Sequence, residues 1–248
     1  MGSGIPRIGS AGSYSGSYVV KDVMKSVHSR IMNMKTPAIF AAVLSAVIML
    51  AGQTALASGA QQDPHQLVEV VTETVLEDIA RYRDALDEAA DRAEKEQLIN
   101  RFFDALTATL EPVVDFRWIA LNVMGSYRQE ATPEQKKHFS EVFTRGLVET
   151  YGRGLLSYSD QKIVIRPPEE DIDGKRRVSV VQEIKGEDAT YPLIYSMGLN
   201  RNGEWKVVNV IINGINLGST FRNQFAQAYQ QHDGNLDKVI ENWAYNSN

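Results

Sequence analysis

The chain has 248 residues, room for one large domain or two small ones, and its 43% hydrophobic content is enough to build a core. It contains no cysteine, which excludes disulfides, thiolate chemistry and Cys-ligated zinc or iron–sulfur centres. Residues 58–248 carry 30 acidic and 21 basic side chains, a net of −9, so this part is a poor match for nucleic acid or an anionic membrane surface and better suited to basic protein partners.

In chain order, residues 1–33 come first: Gly2, Gly4, Gly9, Gly12 and Gly16 are interspersed with Ser and Tyr, a low-complexity composition read as a disordered extension. From Met34 the pattern is that of a secretory signal. Lys35 supplies the positive start, Ala38 to Leu50 is an apolar run of h-region length, and Ala55-Leu56-Ala57 is an A-x-A cleavage site. The run is too short and too rich in small residues for a spanning helix, so residues 34–57 are read as a cleaved signal peptide, with an uncleaved anchor as the alternative. Because such a signal ordinarily begins the chain, Met32 or Met34 is the expected start, and the protein is expected to be exported. Residues 58–248 then form a single domain.

That domain opens with helices. Asp63 is an N-cap and Pro64 a first helical residue, followed by Leu67, Val71, Val75 and Ile79 on one face. Asp84 to Lys95 is strongly charged, either a loop or a solvated extension of the helix. A second helix carries Leu98, Phe102, Leu106 and Leu110, and Pro112 ends or kinks it. Phe116, Ile119, Ala120 and Val123 have the i, i+3, i+4, i+7 spacing of a third. At Thr132-Pro133-Glu134-Gln135 a capping box starts a fourth, along which Phe139, Phe143, Leu147, Tyr151 and Leu155 recur every fourth residue. Gly146, Gly152 and Gly154 lie beside that row, and each costs about 1 kcal/mol against Ala in a helix interior. Either two helices approach closely there or the row faces a cavity, and periodicity does not separate the two.

After Tyr158 the period changes from four to two. Ile163 and Ile165 begin a strand that Pro167-Pro168 stops, and Asp173-Gly174 marks a hairpin turn. Val178, Val180, Gln182 and Ile184 form the next alternating strand, and Tyr191, Leu193, Tyr195, Met197 and Leu199 the third. Asn202-Gly203 turns the chain into a fourth, Trp205 to Ile212. Residues 213–218 read as a loop, with Ser219 or Thr220 capping a helix that holds Phe221, Phe225 and Tyr229. A last helix holds Leu236, Ile240 and Trp243. The expected fold is α+β: a four-stranded antiparallel sheet covered by helices that enclose an apolar cavity.

Catalytic patterns are missing from the sequence. It has no G-x-S-x-G elbow, no H-E-x-x-H, no P-loop and no G-x-G-x-x-G, and His65, His138 and His232 are scattered. Glu169 to Gly174 lacks the ligand spacing of a calcium loop and is read as a polar turn. No metal and no cofactor are expected. An apolar-faced exported domain of this kind suits binding of an apolar guest, with lipid chains the natural class. A cavity enzyme of the isomerase or dehydratase type is the alternative; it requires an acid–base pair in the pocket, for which Asp115 and Tyr127 are the nominees. A purely structural adaptor, with a filled core, is the third reading.

Several stretches resemble the MlaC family of periplasmic phospholipid-binding proteins, also known as toluene-tolerance proteins. They are Val123-Met124-Gly125-Ser126-Tyr127-Arg128, Ala131-Thr132-Pro133-Glu134-Gln135, the Phe139–Tyr151 row, Gly203-Glu204-Trp205-Lys206-Val207 and Ile212-Asn213-Gly214-Ile215-Asn216-Leu217. The resemblance runs from Pro64 to Trp243. Met124, Asn209 and Asn216 depart from the residues common in the family (Leu, Asp and Ser), which puts in doubt the polar contacts of the last two. The resemblance implies a soluble shuttle with phospholipid as its cargo, moving between an outer-membrane lipoprotein complex and an inner-membrane ABC-transporter complex. On that basis Phe116, Ile119, Val123, Tyr127, Phe139, Phe143, Leu147 and Tyr151 are expected to line the lipid site from the helices, and Val180, Tyr195 and Val208 from the sheet.

Overall fold

A computed structural model describes residues 63–158, 161–169, 171–186 and 189–245. The low-complexity extension and the signal-like segment lie outside these residues. Helix α1 (Pro64–Glu88) begins as its sequence requires: the Asp63 side chain accepts from the His65 amide and Pro64 occupies the first turn, where no amide hydrogen is needed. The charged stretch after it resolves into both of the expected alternatives. Helix α1 continues through Glu88, the chain breaks over three residues, and Asp91 caps helix α2 (Arg92–Leu110) by accepting from Glu94 N. Helix α3 (Phe116–Val123) is capped by Asp115 and passes into a 3-10 turn at Gly125–Gln129. Helix α4 (Pro133–Leu155) carries the reciprocal Thr132–Gln135 capping box.

The sheet is an antiparallel meander in the order β1 (Lys162–Ile165), β2 (Arg177–Lys185), β3 (Thr190–Leu199), β4 (Trp205–Ile212) and β5 (Ile215–Asn216). Four strands fall where the alternation placed them. The fifth falls within the expected loop 213–218, and its two residues pair with Ile211 and Ile212. Their pairing, together with the bridge from Val114 to Val207, covers the outer edge of β4, which would otherwise leave unpaired amides at a sheet margin. Helix α5 (Leu217–Gln231) therefore starts earlier than expected, and its cap is Asn216, accepting from Ser219 N, not Ser219 or Thr220. Helix α6 (Leu236–Tyr245) closes the described chain. The α+β class is the one the element order implied.

The core is divided. One cluster joins α3, α4, α5 and α6 through Phe139, Phe143, Phe221 and Phe225, with Trp243 edge-on to Phe139 at 5.4 Å. A second joins the start of α1 to the sheet through Leu67, Val68, Val180, Met197 and Trp205. A third joins α1, α2 and α4 through Ile79, Phe102, Phe103, Leu106 and Val148. A domain of this size ordinarily has one contiguous core. Here three separate clusters surround a common hollow.

Candidate functional site: an apolar cavity between helices and sheet

The hollow is a cavity of about 330 Å³, walled by α1, the end of α2, the start of α3, the second half of α4, the start of α5 and the inner face of β1–β4. Its lining contains no charged side chain and no histidine. The size lies within the roughly 300–1,000 Å³ of small-molecule sites.

Helix α4 shows how the sequence builds this wall. Its aromatic row begins in solid core, where Phe139 is 0% and Phe143 1% exposed. One and two turns later Leu147 and Tyr151 are only partly buried although they point inward, because their remaining surface borders the hollow. Gly152 serves the other side of the helix. A methyl group there would lie 3.0 Å from two ring carbons of Phe103 and 3.3 Å from Leu106 Cδ2, so the glycine permits close approach of α2 to α4. Of the two readings of the glycines, Gly152 belongs to helix packing, while its neighbour Tyr151 borders the cavity.

On the sheet side, Gln182 and Ile184 of β2, Leu193 and Tyr195 of β3, and Val210 and Ile212 of β4 face the hollow. Cross-strand pairing of Gln182 with Leu193 and of Tyr195 with Val210 holds them on one face. Polar atoms on the wall are few. Thr72 Oγ1 donates to Gln182 Oε1 at 3.0 Å, and the Tyr195 hydroxyl approaches the same oxygen at 3.4 Å. Asn209 Oδ1 accepts from the Gly218 amide in the first turn of α5, so asparagine makes a polar contact at that departure from the family pattern, as Asn216 does at its own. Burial pushes the Tyr151 and Tyr195 hydroxyls up to about 12, so both are neutral hydrogen-bond donors at ordinary pH.

The structure brings together six of the eleven expected lining residues: Phe116, Ile119, Phe143, Leu147, Tyr151 and Tyr195. It places the other five elsewhere. Val123 and Phe139 are consumed by the helical core, where Phe139 packs edge-on to Phe225 at 4.9 Å. Tyr127 stacks on Tyr229 at 4.1 Å outside the hollow, and the Tyr229 hydroxyl donates to Glu130 at 2.6 Å. Val180 has the inward parity but is sealed in the cluster beside α1. Val208 faces the opposite side of the sheet. A register shift opposite Ser196 and Met197 pairs them with Asn209 and Val207 and leaves Val208 as the extra residue of a bulge. Sequence reasoning missed most of α1 as a wall: Val71 and Val75 were seen as one apolar face, but nothing in their spacing says what that face meets.

The nominated acid–base pair is not assembled. Asp115 caps α3 by accepting from Trp118 N at 2.9 Å, and neither it nor Tyr127 lines the cavity. Arg128 and Arg222 flank a shallow surface depression, where Arg222 Nε donates to the Asn122 carbonyl at 3.0 Å; both lie off the cavity wall. The Asp173-Gly174 turn forms as a polar connection between β1 and β2, with Asp173 N donating to Asp171 at 3.0 Å and Gly174 at φ +71°. Among the described residues no helix is long and apolar enough to cross a membrane.

Comparison with known proteins places this geometry. The sequence profile of the MlaC protein family matches residues 80–245. The toluene tolerance protein ttg2D of Pseudomonas putida is 41% identical over 203 residues, covering 80% of this chain and 87% of that protein. A phospholipid-binding protein from Ralstonia solanacearum, solved in complex with a phospholipid, superposes with a TM-score of 0.63 at 21% identity, over 75% of this chain and 97% of that one. At that identity the likeness is one of fold.

Proposed function

The chain belongs to the MlaC family, and from that premise we propose that it is a periplasmic carrier whose cavity binds phospholipid, with the acyl chains between helices and sheet and the headgroup toward water. It moves lipid between an outer-membrane lipoprotein complex and an inner-membrane ABC-transporter complex, and thereby maintains outer-membrane lipid asymmetry. The observation that carries the reading is the uncharged 330 Å³ hollow at the meeting of three separate cores. Acyl chains suit such a space, since each buried methylene contributes about 0.8 kcal/mol and brings no polar group that needs a partner. Its fold is shared with a protein crystallised with phospholipid, which supports the same guest. The role is binding and release, not turnover.

The test is native mass spectrometry of the protein purified from the periplasm without detergent. A mass increment equal to a phospholipid, lost on denaturation, is the expected result. A bare polypeptide mass from gentle conditions, with no lipid in an organic extract of the same sample, overturns the proposal. A second arm uses Leu147→Arg. An unpaired guanidinium inside an apolar site costs several kcal/mol, so lipid occupancy falls by roughly a hundredfold or more while the circular dichroism of the helices is retained.

A further inference from the structure

Among the described residues two polar side chains are buried, Asp78 at 8% exposure and Gln182 at 4%. Asp78 is accounted for by Arg81 at 2.5 Å and the Thr109 hydroxyl at 3.5 Å. Gln182 is different. Its carbonyl oxygen accepts from Thr72 and Tyr195, and among the described residues its amide nitrogen donates to none. It also stands on the wall of the cavity, in the middle of β2 opposite α1. A buried amide nitrogen without an acceptor is uncommon, because the lost hydration is not repaid. Two hydroxyls fix the orientation of this one: Tyr195 is held neutral by burial, and Thr72 comes from the facing helix.

Taking the cavity as a phospholipid site, the reading proposed above, we infer that the Gln182 amide donates a hydrogen bond to an ester carbonyl of the bound lipid and so sets both its depth and its linkage class. The chemistry narrows the choice of atom. The wall holds no charge, so an ionised headgroup finds no counter-ion there. The hydrocarbon chains offer nothing to a donor. The parts of a phospholipid that enter an apolar site and accept without donating are the ester carbonyls at the head of each chain. Gln182 therefore favours acyl chains, which carry that carbonyl, over alkyl chains joined through an ether, which lack it.

The experiment compares a diacyl phospholipid with its dialkyl ether analogue of the same headgroup and chain length, in competition for the delipidated protein and read by native mass spectrometry. The natural chain is expected to prefer the diacyl lipid by roughly two- to tenfold, the fold-change of one net hydrogen bond. Gln182→Met fills the same space without the donor and is expected to bind both lipids equally. Tyr195→Phe removes a partner of the carboxamide but leaves its amide, and is expected to keep the preference. Carbon-13 labelling of the ester carbonyl provides a second readout, since its infrared band shifts to lower frequency when hydrogen-bonded and returns in the Gln182→Met protein. Equal binding of the two lipids by the natural chain, or a preference that survives in Gln182→Met, overturns the role of Gln182 and leaves the carrier reading standing. Failure to bind either lipid overturns both.

Discussion

Filling the cavity from its wall separates a hollow binding site from an ordinary core. Leu147 borders the hollow one turn beyond Phe143, where the helix leaves solid packing. In the Leu147→Phe variant the side chain gains three carbons, which meet open space instead of neighbouring atoms. At about 0.8 kcal/mol for each methylene-sized group brought into contact, the lipid-free protein gains at most about 2 kcal/mol. The same ring occupies room that a lipid chain would take, so lipid affinity falls by about the same amount, some thirtyfold. In a filled core the identical substitution costs about 1–3 kcal/mol by overpacking. The assay is urea unfolding of delipidated protein followed by tryptophan fluorescence, paired with lipid titration. A lower unfolding midpoint in the lipid-free Leu147→Phe protein refutes the hollow, whatever happens to the lipid.

Other outcomes follow from single contacts. Gly152→Ala drives a methyl to 3.0 Å from the Phe103 ring and is expected to destabilise by about 1–3 kcal/mol in the same unfolding assay, with no change in lipid linkage preference. Thr132→Ala removes half of the capping box of α4 and is expected to cost about 1 kcal/mol, measurable as a lower midpoint with an unchanged denaturant slope. Burial raises Tyr151 and Tyr195 to about 12 from an ordinary value near 10, so the fold holds the neutral phenol. The unfolded chain loses its proton first as pH rises; stability is therefore intact below pH 10 and falls between pH 10 and 12, by at most about 3 kcal/mol for each tyrosine. Tyr151→Phe should flatten part of that decline, and an alkaline limb unchanged in Tyr151→Phe would contradict the assignment.

Much of the architecture was legible because it is local. Asp63-Pro64 and Thr132-Pro133-Glu134-Gln135 start their helices through contacts within four residues, and the switch from period four to period two after Tyr158 marks the passage from helix to sheet. Strand β5 and the Asn216 cap were not legible in the same way. Two residues are too few to show alternation, and Ser219 and Thr220 are cap types as good as Asn216 until the first turn is placed.

The sequence by itself determined the elements, their apolar faces and the family resemblance, since each depends on spacing along the chain and on residue identity. Tertiary structure alone decided what those faces meet. Phe139 and Leu147 belong to one stripe of one helix, yet the first is sealed against Phe225 and Trp243 while the second borders a void, because α5 and α6 cover only the beginning of α4. Val208 looked equivalent to Val180 and Tyr195 until a single extra residue in β4 turned it to the outer face. Gln182 lies in an alternating strand with nothing to distinguish it, and only the approach of Thr72 from α1 and of Tyr195 from β3 gives its carboxamide an orientation and leaves its amide without an acceptor among the described residues. Periodicity specifies which side of an element avoids water. Whether that side is filled by protein or left for a guest depends on residues far apart in the chain, and is fixed only when they pack.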